Sequence, residues 1–488
     1  MGNNPNAGKW FDLKATHFSL SLARIVFFSF QFCEFAQTYW NRAISFPEGS
    51  LIGNVVLPVY LVIHLLLIFG LFTRFALIAN LILARVILDN VLDIYHVDYV
   101  IKYLSLALVF MPEPKALALD LVRRKEKARP GAPLPTWFYL WVFTPLALTY
   151  FDSLFFKYRN EIWQNGLAFW MPAALPNFST GYYPEFLEVK ALVMPLSYLS
   201  LIYETLFPAL LLRRGRLIVW TVGVGFHLGI AMFFPIPWFA LSWVGALLLF
   251  FPFHWFMDLE DDGEPQESLA YSKVVARLGY AGCVLLFLFQ LSLIFTPNKV
   301  NRFIALHIGQ ARHNVYLDFH FTLTSPILRF YEVTEEERIP IASFDDKGYP
   351  QVSGRYWATT HFFLRFGFLN DPPKYTMWHI ARYCKGSLLK RGRPVAGSVI
   401  EIEYKDVTTP LALDFDRDDQ IEKHPWHAAG RIVYDENGKA NFDFTRNFRH
   451  QMFDVRRPLP VRSKIVTPKK EEPKPESEPT TSEQNQNP

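Results

Sequence analysis

Through residue 297 the chain alternates long apolar runs with short charged connections. Beyond that point the pattern changes to the two-residue period of strands. Apolar segments lie near 17–39, 51–72, 75–94, 98–111, 137–157, 187–212, 217–234, 237–256 and 272–296. A helix needs about 20 mostly apolar residues to cross a bilayer. The fourth segment is short and reads as tilted or re-entrant, so the count is eight or nine. Residues 298–467 carry a different signal. Asn314 to Leu323 alternates, with Val315, Leu317, Phe319 and Phe321 on one face. Ser398 to Val407 and Arg431 to Tyr434 also read as strands, and Met377 to Lys390 as a short helix. Asn437-Gly438, before Asn441 to Thr445, predicts a two-residue hairpin turn. From Pro468 to Pro488 nothing apolar but proline remains, which predicts a disordered tail. The expected fold is an α-helical multispanning membrane bundle of about nine transmembrane helices, followed by a C-terminal β-rich extracytoplasmic domain.

Composition agrees with this class. Of 488 residues, 51% are hydrophobic and 17% aromatic, with 46 Phe, while only 19% are charged. The net charge of +4 averages unlike regions and decides little. Three cysteines form neither a disulfide framework nor a metal set. Residues 1–16 are polar and lack the apolar core of a signal peptide, so the first span is expected to insert directly. Lys and Arg in short loops set orientation. Arg123, Arg124, Lys125, Lys127 and Arg129 fall between spans four and five, and Arg213, Arg214 and Arg216 between six and seven. With nine spans both loops lie on one side, together with Lys9, Lys14 and Arg74. That makes the N-terminus cytoplasmic and places the end of span five, and everything after Thr296, outside. The basic loop is explained by topology, so nucleic acid is not expected as a partner; the bilayer is.

Ionisable groups within spans are costly and are candidate sites. Arg85, Asp89 and Asp93 repeat at four-residue spacing and predict an ion ladder on one helix face, or, for Asp93 with His96, a proton path. His96 reads either as an interfacial hydrogen-bonding residue or as an assistant in catalysis, and His227 as a core histidine or a ligand-facing one. Glu204 is expected to bond to a neighbouring helix. Lys157 ends span five, and desolvation there would lower its pKa toward that of a base. With Arg159 nearby, it could instead extend to the head groups. There is no P-loop, no G-x-S-x-G, no H-E-x-x-H and no close histidine cluster, so no metal is expected.

Several segments in order resemble the horizontally transferred transmembrane (HTTM) family, which includes the vitamin K-dependent gamma-glutamyl carboxylases. Gly70-Leu71-Phe72-Thr73-Arg74 is similar to the family's small residue–Thr–Arg turn. Tyr150-Phe151, Lys157 and Trp163-x-x-Gly166 are similar to the carboxylases' catalytic segment. Phe226-His227-Leu228, followed by the run to Phe251-Pro252, resembles a Phe-His-Leu span pair, and Glu204 with Pro208 fits a further pattern. The likeness covers residues 15–256, and no single motif is as specific as a P-loop.

In that family a lysine deprotonates reduced vitamin K, the anion reacts with dioxygen, and the strong base so formed removes a γ-proton from a glutamate, to which carbon dioxide adds. The resemblance implies Lys157 as the base, with His96 or Asp93 on the proton path and His227, Glu204 and Trp163 as the residues holding a reduced vitamin K or related naphthoquinol. Dioxygen and carbon dioxide would be co-substrates, and a protein or peptide glutamate the acceptor. The C-terminal domain is smaller than that of the animal enzymes, and the spacing from Lys157 to Trp163 is slightly longer. Quinol oxygenation is therefore a safer inference than carboxylation. The alternative is a non-catalytic membrane scaffold or lipid-binding protein whose outer domain binds a partner.

Overall fold

The computed structural model describes residues 10–91, 96–175, 178–182, 184–259, 272–310, 325–341, 345, 348–357, 373–407 and 424–449. Among them, six helices are long and apolar enough to cross a membrane. These are α1 (His17–Trp40), α2 (Ile52–Phe69), α5 (Thr136–Lys157), α6 (Lys190–Leu211), α7 (Arg216–Phe233) and α9 (Lys273–Phe295). The three other expected spans are helices too, but shorter: α3 (Thr73–Leu88), α4 (His96–Leu108) and α8 (Pro237–Phe250). The 13 residues of α4 rise about 20 Å, against the roughly 30 Å thickness of bilayer hydrocarbon. Six of the expected spans are thus long enough to cross by themselves, and the other three, including the fourth, already short in the sequence, are shorter helices packed among them.

The chain starts and stops these helices with ordinary capping chemistry. Thr16 caps α1 by accepting the Ser19 N–H at 3.3 Å, and Ser272 caps α9 by accepting that of Val275 at 3.2 Å. Gly70 ends α2 in the left-handed region, at φ 64°. The turn that follows it, singled out in the sequence as Gly70 to Arg74, is clasped from a distance. Asp120, on the short helix Leu119–Arg124, accepts the backbone N–H of Phe72 at 3.0 Å and of Thr73 at 2.9 Å, and pairs with Arg123 at 3.0 Å.

Charged residues of the bundle pair between helices. Asp89 pairs with Lys102 of α4, and Arg85 donates to the Leu306 carbonyl on the following helix α10 (Lys299–Ile308) at 3.3 Å. Both positions thus gain cross-helix partners, while Arg85 and Asp89 remain close enough for the carboxylate charge to act on the guanidinium; Asp93 lies outside the described residues.

The C-terminal region is a five-stranded antiparallel sheet in the order β2-β1-β3-β4-β5, with β1 Ser325–Val333, β2 Arg338–Pro340, β3 Val399–Val407, β4 His427–Tyr434 and β5 Ala440–Phe444. Helix α11 (Pro373–Lys390) covers one face, where Ile380, Tyr383, Cys384 and Leu388 pack on Phe330, Ile400, Ile402 and Ile432. The other face carries ion pairs such as Arg329–Glu403 at 2.6 Å. Strands β3, β4 and β5 and helix α11 follow the sequence pattern. The hairpin differs: Asp435 pairs with Lys439, leaving three residues in the loop, with Gly438 at φ 71°. The expected strand at Asn314 to Leu323 and the tail from Pro468 lie outside the described residues.

A turn at Gly354–Trp357 ties this domain to the bundle. The guanidinium of Arg355, 1% exposed, pairs with both carboxylate oxygens of Asp98 on α4. Its backbone N–H donates to Glu34 of α1 at 2.7 Å.

Asp120 yields a prediction. Burial alone would raise its pKa, but the hydrogen bonds from Thr73, Phe72 and Arg123 outweigh it and hold the carboxyl below its ordinary value. A depressed pKa contributes stability above the unfolded value of about 3.9, and that stability is lost as pH falls through the folded value. Asp120→Asn should lower stability by about 1–2 kcal/mol at pH 7, with the difference from the parent protein shrinking below about pH 4. Thermal unfolding in detergent across that range measures it; a difference constant with pH would mean the carboxylate charge is not what holds the turn.

Candidate functional site

Helix α5 presents Tyr150, Ser153 and Lys157 at positions i, i+3 and i+7, hence on one face. Opposite them α6 carries Tyr203 and Glu204, α7 carries His227, and α8 carries Trp243. All of these side chains are buried. Lys157 does not extend to the surface: its ammonium pairs with the carboxylate of Glu204, with side-chain exposures of 5% and 4%. The Lys157 nitrogen also lies 4.4 Å from the centre of the Trp163 ring, a cation–π distance. Trp163 comes from the short turn Glu161–Gln164 that follows α5, and it is anchored in the apolar core with Ile162, Leu167 and Trp170.

A second polar group adjoins the pair. The Tyr150 hydroxyl lies 2.7 Å from His227 Nε2 and 3.2 Å from the Tyr203 hydroxyl. His227 stacks on Trp243, with centroids 5.5 Å apart and planes at 27°. It is close enough to Lys157 for that charge to act on the imidazole. Gly223, one turn before His227, makes the arrangement fit: a Cβ there would stand 2.7 Å from the Tyr203 hydroxyl oxygen. Glu204 Oε2 and His227 Nδ1 are buried and make no hydrogen bond of ordinary geometry. Ser153 stands beside the Glu204 carboxylate, yet its Oγ also lacks a well-formed bond.

Of the residues singled out in the sequence, Lys157, Glu204, Trp163 and His227 come together. Lys157 meets a carboxylate rather than a purely apolar wall, which corrects the picture of an isolated amine stripped of solvent: its charge is balanced by Glu204. His96 begins α4, and Asp93 lies outside the described residues. Tyr203, Ser153 and Trp243 were not singled out. The i, i+3, i+7 spacing of Tyr150, Ser153 and Lys157 was the signal for Ser153; Tyr203 and Trp243 had none, since their roles depend on how α6 and α8 cross α5. Nearby, Asp152 points to the other side of α5 and accepts from Gln290 of α9 at 2.9 Å. Among the described residues no group of three or more His, Cys, Asp or Glu is placed to hold a metal ion.

No protein-family model matches this sequence, and neither a curated protein nor a solved structure does.

The site can hold one proton between an amine and a carboxylate, screened from water by tryptophan and tyrosine rings. Removing one partner leaves the other as an uncompensated buried charge. Lys157→Ala should destabilise the protein by about 3–5 kcal/mol, whereas Lys157→Met combined with Glu204→Gln should recover most of the loss. A double-mutant cycle of thermal stability in detergent tests this; additive losses would show the two groups to be uncoupled.

Proposed function

We propose that the protein is a multi-pass membrane enzyme in which the Lys157–Glu204 pair abstracts a proton from a lipophilic hydroxyl compound. The observation that supports this reading most is the pair itself, buried among α5 and α6 and covered by Trp163. With the pair's proton on Glu204, the amine of Lys157 is a base; with it on Lys157, the carboxylate is. Either way one of the two groups is vacant and can take the substrate's proton, which leaves both protonated. The resemblance to the carboxylases points to a reduced naphthoquinone as the hydroxyl compound. Such a molecule would supply acidic hydroxyls and two reducing electrons for dioxygen.

The residues suit it. Glu204 Oε2, Ser153 Oγ and His227 Nδ1 are buried polar atoms without well-formed bonds, the groups a phenolic hydroxyl would engage, and the rings of Trp163, Trp243 and Tyr150 would border its flat aromatic body. In this reading Lys157 accepts the proton, Glu204 holds the amine in place, the Tyr150–His227 bond orients the polar end, and the packed rings exclude water. Glutamate carboxylation is an added step carried by the resemblance alone.

The experiment measures epoxide formed from vitamin K hydroquinone and dioxygen by purified protein. The paired variant Lys157→Met with Glu204→Gln, chosen to keep packing, should lose about two to four orders of magnitude in turnover. Unchanged turnover would remove the pair from the chemistry. Mass spectrometry of lipids extracted from the purified protein should find a naphthoquinone. A tightly held protein partner with no quinone would instead favour the scaffold reading, which draws on the Arg355–Asp98 tie between the C-terminal domain and the bundle.

The topology proposed with this function takes the three shorter helices as completing nine crossings. The N-terminus is then cytoplasmic and the sheet domain extracytoplasmic. A reporter fused after Thr467 should register outside the cytoplasm, and a cytoplasmic signal would remove one crossing.

A further inference from the structure

Two cations at the end of the first span lack carboxylate partners. Arg42, just past α1, donates to the Asn54 side-chain oxygen at 2.9 Å and to the Tyr39 carbonyl at 3.2 Å, and stacks 4.6 Å from the Tyr39 ring. Lys390, the last residue of α11, donates to the Asn41 side-chain oxygen at 2.7 Å and lies 4.9 Å from the Tyr356 ring. Among the described residues no carboxylate forms an ion pair with either cation. Both cations line one cleft of about 400 Å³, together with Trp40, Glu48, Ser50 and Asn54. Glu48, the acid of that cleft, is already paired with Lys385 at 2.8 Å. Lys390 also lines an adjoining cleft of about 540 Å³, in which it is the sole charged residue among those described. Lys390 is exposed, and partial desolvation, with the charge of Arg391 adding to it, holds its ammonium below the ordinary pKa.

The surroundings specify which anion. Trp40 is 73% exposed at the end of a membrane span, the depth at which tryptophans sit among lipid head groups. From the cleft onward, Leu51 at the start of α2 and Val55, Val59 and Val62 along it are all exposed and at helical spacing on one face. A free anion would use the cations and leave that stripe to bulk lipid. A phospholipid uses both at once, with its phosphate against the cations and its acyl chain along the stripe. Ser50 and Asn54 add polar groups between them.

We infer that the cleft between Arg42 and Lys390 is a binding site for the head group of an anionic phospholipid. The cations attract the phosphate, Trp40 sets its depth, and the outward stripe of α2 takes the chain. The bound lipid neutralises two charges that the fold leaves open, and it bridges the bundle to the C-terminal domain, since Arg42 belongs to the former and Lys390 to the latter.

The test is native mass spectrometry of the full chain released from nanodiscs of equal phosphatidylglycerol and phosphatidylcholine. The protein should retain phosphatidylglycerol with a preference of about tenfold or more, as expected for two cations near a membrane surface. Arg42→Gln with Lys390→Gln should abolish the preference. Arg42→Lys with Lys390→Arg should restore it, and Arg213→Gln, at the opposite end of the bundle, should leave it intact. Inorganic phosphate at millimolar concentration should neither displace the lipid nor raise the melting temperature. Equal retention of the two lipids by the unaltered protein overturns the proposal, whether or not the glutamine variant folds. Displacement by inorganic phosphate overturns the lipid assignment in favour of a free anion.

Discussion

Charge balance inside an apolar bundle is the constraint on which this structure rests. A lone ion removed from water costs several kcal/mol, so a charged side chain buried among helices must find its opposite or a set of oxygens. Lys157 meets Glu204, Lys102 meets Asp89, and Arg216 meets Asp12 at 3.0 Å. Each partner sits on a different segment of the chain. The pairs therefore act less as sources of net stability than as a registry: helices that slid or rotated past one another would strand several charges at once. Arg355 extends the same device across domains. Its guanidinium enters the bundle from the C-terminal region and satisfies Asp98, so the sheet domain can dock in one orientation.

The candidate site is a particular use of that rule. An ion pair serving registry alone needs only its two charges. Around Lys157 the chain adds a tryptophan ring over the ammonium, a tyrosine bridging to an imidazole, and buried oxygens beside the carboxylate that have no well-formed hydrogen bond. Unsatisfied polar atoms in a packed interior carry a cost, so their concentration at one place is informative. The same surroundings that make the pair costly also make it responsive, since a proton moving between amine and carboxylate changes the local charge in a medium with little water to mask it.

Much of the architecture was legible in the order of residues. Apolar length located the six long helices and the three shorter ones among the described residues, because a segment that must hide its backbone from lipid has little choice but helix. Alternation located β3, β4 and β5, although the hairpin between the last two takes three residues rather than two, since Asp435 and Lys439 pair and move the turn inward. Three helices came out shorter than their apolar runs. The spacing of Arg85 and Asp89 placed the two charges within reach of each other, but gave no sign that Lys102 on the next helix would pair with Asp89. Periodicity describes a helix by itself and carries no record of what stands opposite.

By itself, then, the sequence determined where helices run, which residues interrupt their apolar surfaces, and that Lys157, Glu204, His227 and Trp163 were unusual where they stood. Those properties are local, set by hydropathy and by the hydrogen-bonding needs of the backbone over a few turns. Only the tertiary structure decided that Lys157 faces Glu204 rather than solvent, that Tyr150 and Tyr203 join His227, and that Arg355 reaches Asp98 across more than two hundred residues of chain. Such pairings depend on the angle and rotation at which helices cross. These are fixed by the simultaneous packing of many side chains, including a glycine at 223 that leaves room for a phenol.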